Sequence, residues 1–174
     1  MFSPENPYHV SRPAAGVSFV GRGEAVAWAW ETLAAGARAA LIAGPAGIGK
    51  SSLLLRLAEE APAGFLPVYV PLADPTLPTS SPLIAAVATR AQEAWLAQLG
   101  AGEAGLAAST PASVWRALRS LSPQKQPLLL LDDLDTLLSS PDERGWAFLD
   151  DLAELMALHP DVRLIFAAAS PDIL

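Results

Sequence analysis

The feature that most constrains this chain is a short apolar run followed at once by a glycine-rich loop. The apolar run covers residues 39–43, and the loop reads Gly44-Pro45-Ala46-Gly47-Ile48-Gly49-Lys50-Ser51-Ser52. Its spacing is G-x-x-x-x-G-K-S, with a predicted strand before it and a predicted helix after it. In that setting the pattern is typical of a phosphate-binding loop. We therefore predict that a polyphosphate lies between the end of this strand and the start of the helix.

Each residue type in the loop has a chemical reason to be there. Glycines allow the backbone to turn tightly and to bring its N–H groups against phosphate oxygens. The helix that opens near Gly49 adds the partial positive charge of its N-terminus. Lys50 is predicted to bind the β- and γ-phosphates, and the Ser51 hydroxyl is predicted to be a ligand of Mg²⁺.

Apolar periodicity and capping signals predict that helices and strands alternate along the rest of the chain. Residues 1–18 contain three prolines and are predicted to be extended. Helices are predicted over 24–35, 50–60, 82–99, 110–121 and 140–159, and strands over 39–43, 65–72, 126–131 and 162–168. The last three helices are predicted from the start signals Ser81-Pro82, Thr110-Pro111 and Ser140-Pro141. This alternation indicates an α/β fold with a parallel sheet, whose ligands bind at the carboxyl ends of the strands.

A second part of the site is predicted where the third strand ends. Four leucines, 128–131, are followed there by Asp132 and Asp133. A strand buried on both faces cannot hold a carboxylate at its middle, but at its end the group emerges beside the phosphates. Asp132 is predicted to hold Mg²⁺ through water, and Asp133 to orient or deprotonate the attacking water. Asp135 belongs to the same acidic cluster and is predicted to be a solvated turn residue.

Ser170 is the first polar side chain after the predicted fourth strand. If that strand lies between the first and the third, Ser170 would be placed to contact the γ-phosphate or the attacking water. The alternative is that Ser170 begins a Ser-Pro turn and has no role in binding. The sequence leaves both interpretations open.

Composition excludes several classes of function. The net charge of −7 over 174 residues offers no basic surface, which disfavours nucleic acid as a partner of this domain. The chain has no cysteine, and His9 and His159 are isolated, so we predict surface histidines and no thiolate or histidine metal site. The five tryptophans are predicted to pack in the core or on helix faces.

Neither a targeting segment nor a guanine-reading motif is visible. The apolar runs are too short to cross a bilayer and the N-terminus does not read as a secretory signal, so we expect a cytoplasmic location and no membrane partner. No Asn-Lys-x-Asp motif follows the loop, which favours ATP or ADP over GTP.

Taken together, these motifs resemble a known class of ATPases. The segment Asn6-Pro7-Tyr8, then Phe19-Val20-Gly21-Arg22, a helix, the phosphate loop and the leucine run with two aspartates are similar to AAA+-like and STAND P-loop ATPases. The N-terminal part looks like prokaryotic STAND proteins in particular, and the resemblance covers about residues 6–170.

This resemblance implies a fold and a set of ligands. The expected fold is the three-layer P-loop NTPase fold with sheet order 5-1-4-3-2, the ligands are ATP or ADP and Mg²⁺, and Val20, Gly21 and Arg22 would lie against adenine and ribose. It also implies a nucleotide switch within a larger signalling, regulatory or defence protein, which self-associates or acts through further domains. In that full-length setting the protein would be an ATPase.

Two departures from the family pattern modify these expectations. Asp133 stands where many AAA+ proteins carry glutamate, which fits the STAND branch and slow turnover. The sequence ends at Leu174, after the fourth strand, so the fifth strand, the arginine finger and the lid are expected beyond residues 19–174. We therefore expect weak hydrolysis by this chain. The alternatives are an autonomous ATPase, the ATPase domain of a DNA-handling protein similar to origin-recognition or helicase-loader proteins, and a degenerate loop used as a scaffold.

Overall fold

Helices and strands alternate along the chain, as the apolar pattern predicts. The computed structural model describes residues 13–14, 21–77, 83–98, 100, 115–116, 123–139 and 144–170. The bounded helices are α1 (Gly23–Ala34), α2 (Lys50–Glu59), α3 (Leu83–Gln98), α4 (Leu134–Leu138) and α5 (Arg144–Leu158), and the strands are β1 (Ala39–Ala43), β2 (Phe65–Pro71), β3 (Gln126–Asp132) and β4 (Arg163–Ala168).

All described strand pairs are parallel, and the sheet order is β1-β4-β3-β2. This order is the predicted 1-4-3-2 part of the sheet, and it confirms the α/β fold with a parallel sheet. In the register, Ala43 of β1 pairs with Ala168 of β4, and Pro71 of β2 pairs with Asp132 of β3. The carboxyl ends of the four strands therefore meet at one edge, which is where the predicted site residues follow their strands.

Helices cover both faces of the sheet and give two hydrophobic cores. In β3, Leu129 and Leu131 face the first core, which contains the buried faces of α3, α4 and α5. Leu128 and Leu130 face the second core, which contains the buried faces of α1 and α2. All four leucines are fully buried, and burying a leucine side chain contributes about 1.5–3 kcal/mol. This strand needs apolar residues at consecutive positions because both of its faces are covered.

The five tryptophans differ in burial, and Trp30 is half-buried against the second core with its ring 5.5 Å from that of Phe65. Trp95 and Trp115 are buried in the first core with their rings edge to face, and Trp95 Nε1 donates to the Leu66 carbonyl at 2.8 Å. Trp28 and Trp146 are 48% and 55% exposed, so these two lie on helix faces and not in the core. Each lies beside the buried stripe of its helix rather than on it, because the helical repeat turns the next residue by about 100°.

His159 is less exposed than the sequence analysis predicts. It is half-buried just after α5, rather than fully on the surface. Burial lowers the pKa of His159, and the charge of Arg116 lowers it further, while Asp161 raises it. The imidazole is therefore held toward its neutral form.

Several predicted features lie outside the described residues. They are most of the extended segment 1–18, His9, Val20, the three start signals Ser81-Pro82, Thr110-Pro111 and Ser140-Pro141, and all of the predicted helix 110–121 except Trp115 and Arg116. In the part of the chain that the structure describes, no helix is both long enough and apolar enough to span a bilayer.

Candidate functional site

The phosphate loop leaves β1 at the carboxyl edge of the sheet. The Gly44 N–H donates to the Ala168 carbonyl at 3.1 Å, which fixes the start of the loop beside the end of β4. Gly47 and Gly49 have φ of 77° and 93°, a left-handed conformation that glycine adopts without steric cost. No described side chain caps the first turn of α2 after Gly49. The N–H groups of this turn are thus available to an anion.

Two cationic side chains bind carbonyl groups of this loop. Lys50 Nζ donates to the carbonyls of Gly44 at 2.8 Å and Pro45 at 3.2 Å. Arg22 donates through Nη2 to the Ile48 carbonyl, and its guanidinium carbon lies 3.9 Å from the position that a Cβ on Gly49 would take. The ammonium of Lys50 is thus held at the loop, where phosphate oxygens would take the place of the two carbonyls.

Arg22 connects the loop to α1. Gly21 and Arg22 both have left-handed backbone, with φ of 83° and 58°, and Arg22 immediately precedes the first residue of α1. This sharp turn places the guanidinium over the phosphate loop. The predicted contact of Gly21 and Arg22 with adenine and ribose stays a prediction.

Asp132 is the last residue of β3, and only 1% of its surface is exposed. Its Oδ2 accepts a hydrogen bond from Tyr69 Oη at 2.7 Å, and its Oδ1 accepts one from the Asp133 N–H at 3.0 Å. Tyr69 also has a side-chain hydrogen bond with Ser51. Tyr69 therefore links the first turn of α2 with the acidic end of β3.

Sequence reasoning missed Tyr69. Burial raises its pKa, and the hydrogen bond and charge of Asp132 raise it further, so the phenol stays protonated and acts as a donor. One feature of the sequence, the alternation of residues in β2, indicates which face of the sheet Tyr69 lies on. Val68 and Val70 alternate with it and are buried in the first core, which puts Tyr69 on the opposite face, over α2.

Asp133 and Lys50 belong to one electrostatic site. Asp133 has φ of 59° and precedes the first residue of α4. Burial raises the pKa of Asp133, the negative charges of Asp132 and Asp135 raise it further, and the charge of Lys50 lowers it. The structure thus brings the loop lysine and the acidic end of β3 together at the same edge.

Asp135 is not a solvated turn residue, which corrects the expectation for it. Its Oδ1 accepts a hydrogen bond from the Ala169 N–H at 2.9 Å, so it fastens α4 to the end of β4. Ser170 follows Ala169 and is half-buried. Because β4 lies between β1 and β3, the condition for a role of Ser170 is met, while its contact with phosphate stays a prediction.

The side chain of Ser52, the last residue of the loop pattern, makes a contact outside the loop. The residue is 8% exposed, and its Oγ accepts a hydrogen bond from the Ala14 N–H at 2.8 Å. Its side chain therefore fastens α2 to the N-terminal segment. The predicted part of Ser52 in phosphate binding stays a prediction.

The donor atoms at this edge suit Mg²⁺. Ser51 and Asp132 offer only oxygen ligands, which hard cations prefer. Among the described residues, no group of three or more acidic, histidine or cysteine side chains forms a complete metal site. Mg²⁺ fits this arrangement because it takes its other ligands from water and from the phosphates of a substrate.

Solved structures share the fold of this chain. The chain is similar to the Walker-type ATPase of Pyrococcus abyssi, with a TM-score of 0.58, 18% identity, and coverage of 91% of this chain and 48% of that one. It is also similar to a structure from work on katanin self-assembly, with a TM-score of 0.50, 17% identity, and coverage of 90% and 46%. At these identities the likeness concerns the fold, and the chain spans about half the length of the structures it matches.

Sequence comparison goes further than the fold. The comparison with curated proteins found no match. A family model described as the AAA ATPase domain matches residues 18–166, a span that includes Arg22, the phosphate loop, Asp132 and Asp133. The chain therefore belongs to the AAA ATPase domain family, and this membership implies that it binds a nucleotide.

Proposed function

We propose that this domain binds ADP and ATP with Mg²⁺ and acts as the nucleotide switch of a larger STAND-type signalling, regulatory or defence ATPase. The observation that carries the proposal is the convergence of Lys50 and Ser51 with Asp132 and Asp133 at one edge of the sheet. Tyr69 bridges Ser51 and Asp132, and the charge of Lys50 acts on Asp133.

Each residue of the site has a role in this proposal. The backbone N–H groups of 44–51 bind the phosphates, and Lys50 exchanges its two carbonyl partners for β- and γ-phosphate oxygens. Ser51 holds Mg²⁺ directly and Asp132 holds it through water; the bound ion would neutralise phosphate charge. Asp133 orients the attacking water, and its raised pKa makes it a better proton acceptor than an ordinary aspartate.

The contacts of the loop support a switch. Phosphate has to compete with the Gly44 and Pro45 carbonyls for Lys50, so binding changes the hydrogen bonds that hold the loop closed. Arg22 joins the same loop to α1, which gives a route by which a change in the loop reaches the rest of the domain. A ligand shifts such an equilibrium only through contacts that differ between the two forms.

The experiment that tests nucleotide binding uses the two lysines of the chain. We expect Lys50→Ala to weaken binding of ADP and ATP by about 100-fold or more, because a charge-assisted contact to phosphate is lost. Lys125→Ala is the matched control, since Lys125 precedes β3 at the opposite end of that strand from Asp132 and should bind as the native chain does. Calorimetric titration with and without Mg²⁺ measures both.

The same preparations test turnover and self-association. We expect fewer than a few hydrolysis events per second, because Asp133 is short for a water-activating carboxylate in this family. We also expect the molar mass measured by light scattering to differ between the ADP and ATP forms. An unchanged affinity in Lys50→Ala would refute the proposal, and fast turnover would favour an autonomous ATPase.

A further inference from the structure

Tyr69 occupies a position that no motif of the chain explains. It lies in β2, and its ring packs against the second core, beside α2. Its hydroxyl reaches the carboxyl edge, where it meets a serine from α2 and an aspartate from β3. These three residues come from three different elements, and the phenol oxygen is the atom that joins them.

A phenol has a single donor hydrogen, which determines the direction of the hydrogen bonds that Tyr69 makes with Asp132 and Ser51. A phenol has one O–H, and that of Tyr69 is donated to Asp132 Oδ2 at 2.7 Å. Tyr69 can therefore only accept from Ser51, so the proton of the Ser51 hydroxyl points at the phenol oxygen. The lone pairs of Ser51 are then free for another partner.

We propose that Tyr69 is a positioning residue, which turns the lone pairs of Ser51 toward the Mg²⁺ of a bound nucleotide and holds the Asp132 carboxylate beside the same ion. This inference rests on the proposed function and adds a residue that the phosphate loop and the acidic strand end do not contain. The physical basis is the general one for metal sites, where groups that hydrogen-bond the ligands fix their orientation.

The surroundings of Tyr69 make it suited to this task. A rigid ring packed in a core holds its oxygen in one place, whereas a water in the same position would lose entropy when it is immobilised. Asp132 is buried, so a carboxylate oxygen left without its donor would be costly. The Tyr69 hydroxyl therefore serves the aspartate and the serine at the same time.

The test is a double-mutant cycle on Ser51 and Tyr69 that measures the effect of Mg²⁺ on ADP affinity. For each variant, the dissociation constant of ADP is measured by calorimetry in EDTA and in excess MgCl₂, and their ratio is the metal effect. We expect Tyr69→Phe to reduce this ratio about tenfold, while affinity in EDTA stays within about twofold. In a Ser51→Ala background, Tyr69→Phe should cause a clearly smaller further loss, because only its contact with Asp132 remains.

Two further variants separate positioning from a purely structural role. Ser51→Thr keeps the hydroxyl, so it should keep the metal effect and its sensitivity to Tyr69→Phe. Thr89→Val is the control for loss of a hydroxyl elsewhere, since Thr89 is exposed on α3 and donates only to the Ala85 carbonyl of its own helix. It should leave the metal effect unchanged.

The outcomes distinguish this inference from the proposed function. If the native chain binds ADP with a clear metal effect and Tyr69→Phe keeps that effect, the inference is wrong and the proposed function stands. It is also wrong if Tyr69→Phe weakens binding equally in EDTA and in MgCl₂, or if the losses at Ser51 and Tyr69 are additive. If the native chain binds no ADP, the proposed function fails first. If Tyr69→Phe folds poorly, Ser51→Ala still measures how much of the metal effect depends on the serine hydroxyl.

Discussion

The two halves of the site are held in opposite ways. The phosphate loop lies near water: Ile48 is 44% exposed, and the loop carbonyls are held by the flexible side chains of Lys50 and Arg22. The acidic end of β3 is buried: Asp132 is 1% exposed, and its carboxylate accepts hydrogen bonds from Tyr69 and from the adjacent backbone N–H.

This difference indicates which half moves when a nucleotide binds. A group near water exchanges one partner for another at small cost, since water replaces the lost bond. A buried carboxylate cannot leave its donors without becoming unpaired in a medium of low polarity, which is costly. We therefore expect the loop to rearrange around the phosphates while the acidic end of β3 keeps its geometry.

The largest effect is expected from a variant that disturbs the rigid half. Gly145 of α5 packs so closely against α4 that a Cβ would lie 2.7 Å from the Leu137 carbonyl oxygen and 2.9 Å from Leu138 Cα. Gly145→Ala should lower the free energy of unfolding by about 1–3 kcal/mol, although alanine is the better helix former. Because α4 carries Asp135, nucleotide affinity should fall as well. Urea unfolding and calorimetry measure the two effects.

Gly64→Ala is the matched control for this variant. Gly64 has an ordinary φ, and a Cβ there meets no atom within 4 Å, so the variant should be as stable as the native chain or slightly more stable. If Gly145→Ala were equally stable, α4 would be free to shift, and the acidic half could not be called rigid.

The contrast between the halves also explains what the sequence could predict. All groups of the phosphate loop are consecutive in the chain, so their residue types and spacing were sufficient to predict them. The place of Asp132 and Asp133 at the carboxyl end of β3 was predictable because they follow a run of leucines. The bond from Tyr69 to Asp132 joins residues 63 apart, and the bond from Ala169 to Asp135 joins residues 34 apart. No local pattern encodes such pairs, because they depend on which strands lie side by side.

The strands of the fold were also predictable from local patterns in the sequence. Apolar runs placed β1 at its observed bounds and the other strands within about one residue, because burial on both faces leaves a continuous signal. The exposure of Trp28 and Trp146 was not predictable, because it depends on which side of each helix faces the sheet. The sequence did not predict the hydrogen-bond partners of Asp135 and Tyr69 either, because these also depend on how the elements pack.

An intermediate effect is expected from loosening the phosphate loop. Arg22→Asn removes the guanidinium that binds the Ile48 carbonyl, and asparagine tolerates the left-handed backbone at φ 58°. Affinity for ADP with Mg²⁺ should fall about three- to tenfold, while urea unfolding is unchanged. Arg56→Gln is the control, since it removes the same charge from exposed ion pairs of α2 that contribute little. Equal affinities would mean that the glycines alone set the geometry of the loop.

The smallest effect concerns the charge of Asp133, at the boundary between the two halves. Burial and the neighbouring aspartates raise its pKa above the unfolded value, so the folded chain binds this proton more tightly than the unfolded chain does. The residue therefore favours folding at pH below its unfolded pKa, and this contribution is lost as pH rises through the folded pKa. At neutral pH the ionised carboxylate destabilises the fold.

Asp133→Asn should remove this cost. At pH 7 the variant should be more stable than the native chain by about 0.5 kcal/mol, a small figure because solvent screens the partly exposed group. This advantage should shrink as pH falls through the raised pKa of the native carboxyl toward the ordinary aspartate value of about 4. Urea unfolding at both pH values measures it, and any hydrolysis should be lost at both. Asparagine also tolerates the left-handed φ of 59°, but any stability gained in this way does not depend on pH. An advantage that stays constant with pH would therefore mean that the charges of Asp132 and Asp135 do not act on this residue, and that the acidic end of β3 is better solvated than its contacts indicate.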